Sequence, residues 1–87
     1  MYVILVYDFR EKRVGKMLKL CRRYLNWIQN SVFEGEISEA RLKELLMKSG
    51  KFMDKDEDSI IVFKGLSQMS MEKQIIGRER SSTDVFL

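Results

Sequence analysis

Residues 2–7 read YVILVY, and Asp8 follows at once. Six consecutive apolar residues rich in β-branched and aromatic side chains, too short for a helix of ordinary length, predict a strand covered on both faces in the middle of a sheet. A carboxylate at the end of such a strand, where a loop begins, stands where sheet proteins tend to place chemistry. The plainer reading of Asp8 is a turn or cap residue opening the loop before a first helix. Both readings make this end of the strand the place to start.

Downstream, residues 12–25 carry a helical pattern. Val14, Met17, Leu18, Cys21, Tyr24 and Leu25 recur at i, i+3, i+4 spacing as one apolar stripe. At about 100° per residue, Lys12, Lys16, Lys19 and Arg23 gather on the opposite face, while Arg13 and Arg22 flank the apolar stripe on either side. Gly15 lowers helix propensity for no reason visible in the sequence. Residues 26–37, NWIQNSVFEGEI, predict two short strands about a turn at Asn30-Ser31, and Gly35 suggests a bulge or a close backbone approach. Ser38 is a good N-cap for a helix running to about Ser49 with Leu42, Leu45 and Leu46 inward, and Gly50 is a natural stop. A charged loop over 51–58, a buried strand SIIVF over 59–63, an irregular stretch over 65–71 and a short strand QIIG over 74–77 complete the pattern.

The order strand, helix, strand, strand, helix, strand, with an extra strand after it, predicts an α+β protein of the ferredoxin-like βαββαβ class: one antiparallel sheet with two helices on one face. The other face would expose apolar side chains, and with no third helix available a second copy of the chain is the economical cover. Residues 1–87 are read as a single domain. Its core covers about 1–66, and a C-terminal strand and tail over about 72–87 reaches the partner subunit. The ending Val85-Phe86-Leu87 is odd for a solvated tail and suits packing on a sheet edge.

Composition narrows the chemistry. Histidine and proline are absent and there is one cysteine, which excludes a Ser-His-Asp triad, a Cys-His dyad, a structural zinc and an intrachain disulfide. A bound metal should be a hard cation on carboxylate and water oxygens, Mg²⁺ or Mn²⁺. The run over 2–7 is too short to span a bilayer. The start lacks the basic region and cleavage site of a secretion signal. The expectation is a cytoplasmic protein with no membrane partner. An 87-residue chain hides only about 60–65% of its unfolded surface, a further argument for a partner subunit.

Charge is unevenly placed. The net value is +3, yet residues 10–23 hold seven bases and one acid, a local +6. A face kept basic only for solubility would mix signs, so Lys12, Lys16, Lys19, Arg22 and Arg23 read as a phosphate-binding face for RNA or DNA that holds the backbone without reading bases.

The start YVILVYDF, the basic helix, the segment WIQNSVFEGEIS leading into a helix and the strand SIIVF together resemble the small CRISPR-associated protein of the spacer-acquisition module, the second of its two core proteins and partner of its integrase. The resemblance covers nearly the whole chain, and QNSVFEGE is its most specific part. It implies a ferredoxin-like homodimer with the two sheets face to face and the C-terminal strand of each chain extending the sheet of the other. It implies metal-dependent endonuclease activity on RNA or DNA, and a scaffold role in the integration complex. It places the family's proposed catalytic aspartate on Asp8, also the metal ligand, with Tyr7, Arg13 and Phe33 in support.

One carboxylate makes a poor Mg²⁺ site, but Asp8 and its copy could meet near a two-fold axis. A metal-activated water would then attack phosphorus, unless a carboxylate serves as base, and Arg13 would neutralise charge on the phosphate. Two close acids also repel, which raises a pKa instead. Trp27 and Phe33 have two readings, base stacking and packing; aromatics at strand positions favour packing. Tyr7 alternates with Asp8 and reads as a packing residue that shapes the site. Cys21, on the apolar stripe, reads as inert core. Two other functions stay in view: a non-catalytic DNA-bridging scaffold, and a toxin-like endoribonuclease.

Overall fold

The structure, a computed structural model, describes residues 1–67 and 70–78. In chain order the elements are β1 (Tyr2–Asp8), α1 (Glu11–Arg22), β2 (Asn26–Gln29), β3 (Val32–Glu36), α2 (Glu39–Gly50), β4 (Ser59–Ser67) and β5 (Ser70–Gly77). The five strands form one sheet in the order β2-β3-β1-β4-β5, and every neighbouring pair is antiparallel. The α+β class is therefore the observed one. Among the described residues no helix is long and apolar enough to cross a membrane.

Strand β1 is central, as its composition predicts, and its alternation separates two environments. Val3, Leu5 and Tyr7 are buried, as are their cross-strand neighbours Phe33, Val62 and Ile60. These side chains meet Met17, Leu20, Cys21 and Leu25 from α1 and its C-terminal turn, and Leu42 and Leu45 from α2. Tyr2, Ile4 and Val6 point to the other face and are only half-buried, and Asp8 is exposed. The expectation of a strand covered on both faces is thus corrected for the single chain: among the described residues helices cover one face only. The open face carries Val6 beside Val32 and Ile61, and Ile4 beside Glu34 and Phe63.

Helix α1 starts one residue earlier than the pattern predicts and ends three earlier. Its inward stripe includes Leu20, which the spacing argument passed over, while Val14, Leu18 and Tyr24 are partly buried at its margin. In α2 the Ser38 hydroxyl accepts from the Arg41 N–H at 3.1 Å, the predicted cap. Gly50 closes the last turn inside that helix instead of lying beyond it.

Two other expectations change. The stretch over 65–71 is not irregular where it is described. Strand β4 continues to Ser67 and β5 begins at Ser70, with a register shift between Lys64 and Ser67. Gly35 does sit at a close approach, with φ +152° and Asn26 Nδ2 at 3.3 Å from where a Cβ would be, but the bulge lies in the partner strand between Trp27 and Gln29. The tail ending Val85-Phe86-Leu87 lies outside the described residues.

Candidate functional site

Asp8 is the last residue of β1, exposed, and pairs across the sheet with Ser59 at the start of β4. Strand alternation puts its side chain on the open face, beyond Val6. Tyr7 points the other way. Its ring stacks on Phe33 with centroids 6.1 Å apart and meets Phe9 edge-on at 5.7 Å. Burial pushes its phenol above the ordinary value, against a hydrogen bond with Ser31 and the nearby Arg22 charge. Phe33 is fully buried in the same cluster, so it cannot stack on a base; packing is its role. Tyr7 and Phe33 are thus brought together, and both lie behind the strand whose end presents Asp8.

The loop from Asp8 into α1 is pinned by a residue that the charge pattern did not single out. Asp58 precedes β4 directly and is fully buried. One carboxylate oxygen accepts from the Arg10 N–H at 2.9 Å. The other accepts from the Asp54 N–H at 2.9 Å and from Arg13 Nε at 2.5 Å, and Arg13 Nη2 reaches the first at 3.1 Å. Burial by itself would raise this carboxyl, but the guanidinium and the two backbone donors outweigh it and hold it below the ordinary carboxylate range. Arg13 also binds Glu57 at 3.0 Å, and its side chain is only 13% exposed. It is held mainly by Asp58 and its pKa is raised accordingly. Arg13 therefore stands beside the end of β1, tied to carboxylates of the loop over 54–58.

The basic residues of α1 divide from this site. Lys12, Lys16, Lys19, Arg22 and Arg23 are all exposed on the helix-bearing side of the sheet, whereas Asp8 belongs to the open side. Lys16 Nζ lies 5.6 Å from the centroid of Phe52, and the Arg22 guanidinium lies 5.2 Å from that of Trp27. Trp27 itself is 49% exposed in the single chain, so of its two packing readings, core and subunit contact, it is not in the core. Its partner position in β3 is Phe33, but β2 is the outer strand and nothing described packs outside it. Cys21 is buried, and burial pushes its thiol up to about 12, so it is inert as expected.

Among the described residues no group of three or more His, Cys, Asp or Glu is placed to hold a metal ion. Asp8 offers one exposed carboxylate, a hard oxygen donor of the kind Mg²⁺ takes one or two at a time, with phosphate and water completing the set. That donor chemistry fits a divalent ion held jointly with a substrate and a second carboxylate.

A family model described as "CRISPR associated protein Cas2" matches residues 1–74. Among curated relatives, a protein of Dictyoglomus turgidum named CRISPR-associated endoribonuclease Cas2 is 41% identical over 87 residues, all of both chains. One of the same name from Thermotoga maritima is 44% identical over 92% of each chain, and one from Fusobacterium nucleatum 42% identical over all of this chain and 87% of its own. A solved structure titled as that of cas2 is 38% identical, with a TM-score of 0.68 over 100% of this chain and 98% of that one. The Streptococcus pyogenes Cas2 structure at pH 6.5 is 30% identical, with a TM-score of 0.68 over 75% and 86% of the two chains.

Proposed function

This chain belongs to the CRISPR-associated Cas2 family, and on that footing we propose that it is a metal-dependent endonuclease acting on phosphodiester bonds of RNA or DNA, with Asp8 as its essential acid. The names of its relatives support nuclease activity. The observation that carries the reading is the position of Asp8: an exposed carboxylate ending the central strand, on the face that no helix of the described residues covers.

A second copy of the chain against that face supplies what one protomer lacks. The half-buried Ile4, Val6 and Phe63 would gain cover, and Asp8 would acquire its symmetry mate. The strand order β2-β3-β1-β4, with both helices on one side, supports a ferredoxin-like unit to which β5 is added. A divalent ion, Mg²⁺ or Mn²⁺, held by the paired Asp8 carboxylates and a substrate phosphate would supply charge neutralisation and an activated water. The chain's own residues do the rest. Asp8 orients the ligands, the Tyr7–Phe33 stack keeps the end of β1 rigid, and Arg13, through Asp58, fixes the loop that follows. Lys12, Lys16, Lys19, Arg22 and Arg23 bind the phosphate backbone.

A second reading rests on one observation. The basic face of α1 and Asp8 belong to opposite sides of the sheet, so nucleic-acid binding and cleavage are separable. The protein would then be a dimeric DNA-bridging scaffold that docks the integrase of the spacer-acquisition module. Under it, charge reversal at Lys16 and Lys19 stops spacer acquisition while Asp8→Ala leaves it running.

The test of the first reading is cleavage of matched single-stranded RNA and duplex DNA, with Mg²⁺, with Mn²⁺ and with chelator. Wild type should cleave one of them only with metal. Asp8→Asn should lose the activity, by about 100-fold or more, with its thermal unfolding and mass in solution unchanged. Cleavage that persists in highly purified Asp8→Asn protein would sink the nuclease reading.

A further inference from the structure

Trp27 is the one tryptophan of the chain, and the structure gives it three properties that packing does not explain. It lies on the outer strand β2 with half its surface open. Its only polar atom is already satisfied, since the indole N–H donates to the Asn30 carbonyl at 2.9 Å. Asn30 is itself held at φ +45°, in the turn joining β2 to β3, so the ring is tied to a turn. Finally, the Arg22 guanidinium lies over the ring, 5.2 Å from its centroid. The result is a flat π-surface of fixed orientation beside a cation, on the same side of the sheet as Lys19 and Arg23.

We infer that Arg22 and Trp27 form a stacking platform for an unpaired base, so that the protein grips single-stranded nucleic acid by one base on Trp27 and by its phosphates along α1. This rests on the reading that nucleic acid is the ligand, and adds to it the residues on which an unpaired base would sit. A base within a duplex already has both faces covered, so only an unpaired one can use the ring. Stacking is tolerant of base identity because every base has a π-face. The surroundings fit that occupant: Lys19, Arg22 and Arg23 on the same side offer cations to a phosphate backbone, and the open ring offers a π-face to a base. The turn that anchors the ring also adjoins the end of β1, where the Tyr7 N–H donates to the Ser31 carbonyl at 3.1 Å. A strand held at Trp27 is therefore held near the end of β1.

With a single tryptophan, intrinsic fluorescence reports the platform directly. The full-length protein in chelator is titrated with a single-stranded oligonucleotide, with an abasic strand of the same length and charge, and with a duplex, while anisotropy of a labelled end follows binding. The single strand should quench Trp27. The abasic strand should bind about 5- to 100-fold more weakly without quenching. Trp27→Ala should bring the single strand down to abasic affinity and leave duplex affinity unchanged, while Trp27→Phe, which keeps a flat ring, should stay within about threefold of wild type. Circular dichroism on both variants checks that the fold is kept. Salt-dependent binding without quenching, or equal affinity of wild type and Trp27→Ala for the single strand, overturns the platform and leaves the phosphate face standing. That result would favour a protein partner at β2. Failure of every polyanion to bind at low salt overturns both.

Discussion

Asp58 organises the end of the sheet at which Asp8 stands. Its buried carboxylate takes four hydrogen bonds, from Arg13 and from the backbone of Arg10 and Asp54. Asp58→Ala should therefore cost about 2–4 kcal/mol in urea unfolding, since it leaves two N–H groups without their acceptor and Arg13 with Glu57 as its remaining partner. The pH dependence follows from the direction of its shift. The folded-state pKa lies below the unfolded one, so the stabilisation is fully present above about pH 4 and is lost as the pH falls through the folded value. Asp58→Asn should flatten the stability profile below about pH 4, which a series of urea midpoints reads out. At this scale the sequence was partly legible. The opposed directions of Tyr7 and Asp8 follow from period-two alternation, and Cys21 fell where the apolar stripe put it. Asp58 was hidden because its partner Arg13 is 45 residues away in the chain, and a charge run over 51–58 looks solvated until that pairing is known. That Trp27 lies outside the core was not legible, because an aromatic in a strand is usually buried and whether its strand is an outer one depends on the topology.

Helix α1 divides its labour by face, and two changes probe the outward one. Gly15 is exposed, and a Cβ built there meets nothing within 4 Å. Gly15→Ala should stabilise the protein by about 0.5–1 kcal/mol, measured by denaturant unfolding. No packing reason for the glycine is found in the protomer, and loss of nucleic-acid affinity in this variant would give it a binding one. Reversing Lys16 and Lys19 together should weaken binding and lower the slope of log affinity against log salt by about 1.5 to 2, one increment per lost phosphate contact. The α1 pattern was readable because both its stripes repeat at the helical period. The hairpin of β4 and β5 was not, because Gly65 and Ser67 are weak strand formers and the register shift between Lys64 and Ser67 breaks alternation.

For the whole molecule, the sheet has one face filled by helices and one that a single chain leaves half-open, and the exposed acid stands on the second. That asymmetry was foreseeable from the count of helices, though the central strand's composition alone suggested cover on both sides and could not say what supplies it. On the proposed mechanism, catalysis needs two Asp8 carboxylates at one centre, one from each protomer. The direct measurement is to unfold wild type and Asp8→Asn in equal amounts, refold them together so that protomers mix at random, and assay metal-dependent cleavage at fixed total protein. If both carboxylates are required, activity falls to about one quarter of wild type, because only one pairing in about four retains both. Activity of about one half would mean that each protomer cleaves independently, and would contradict the shared centre.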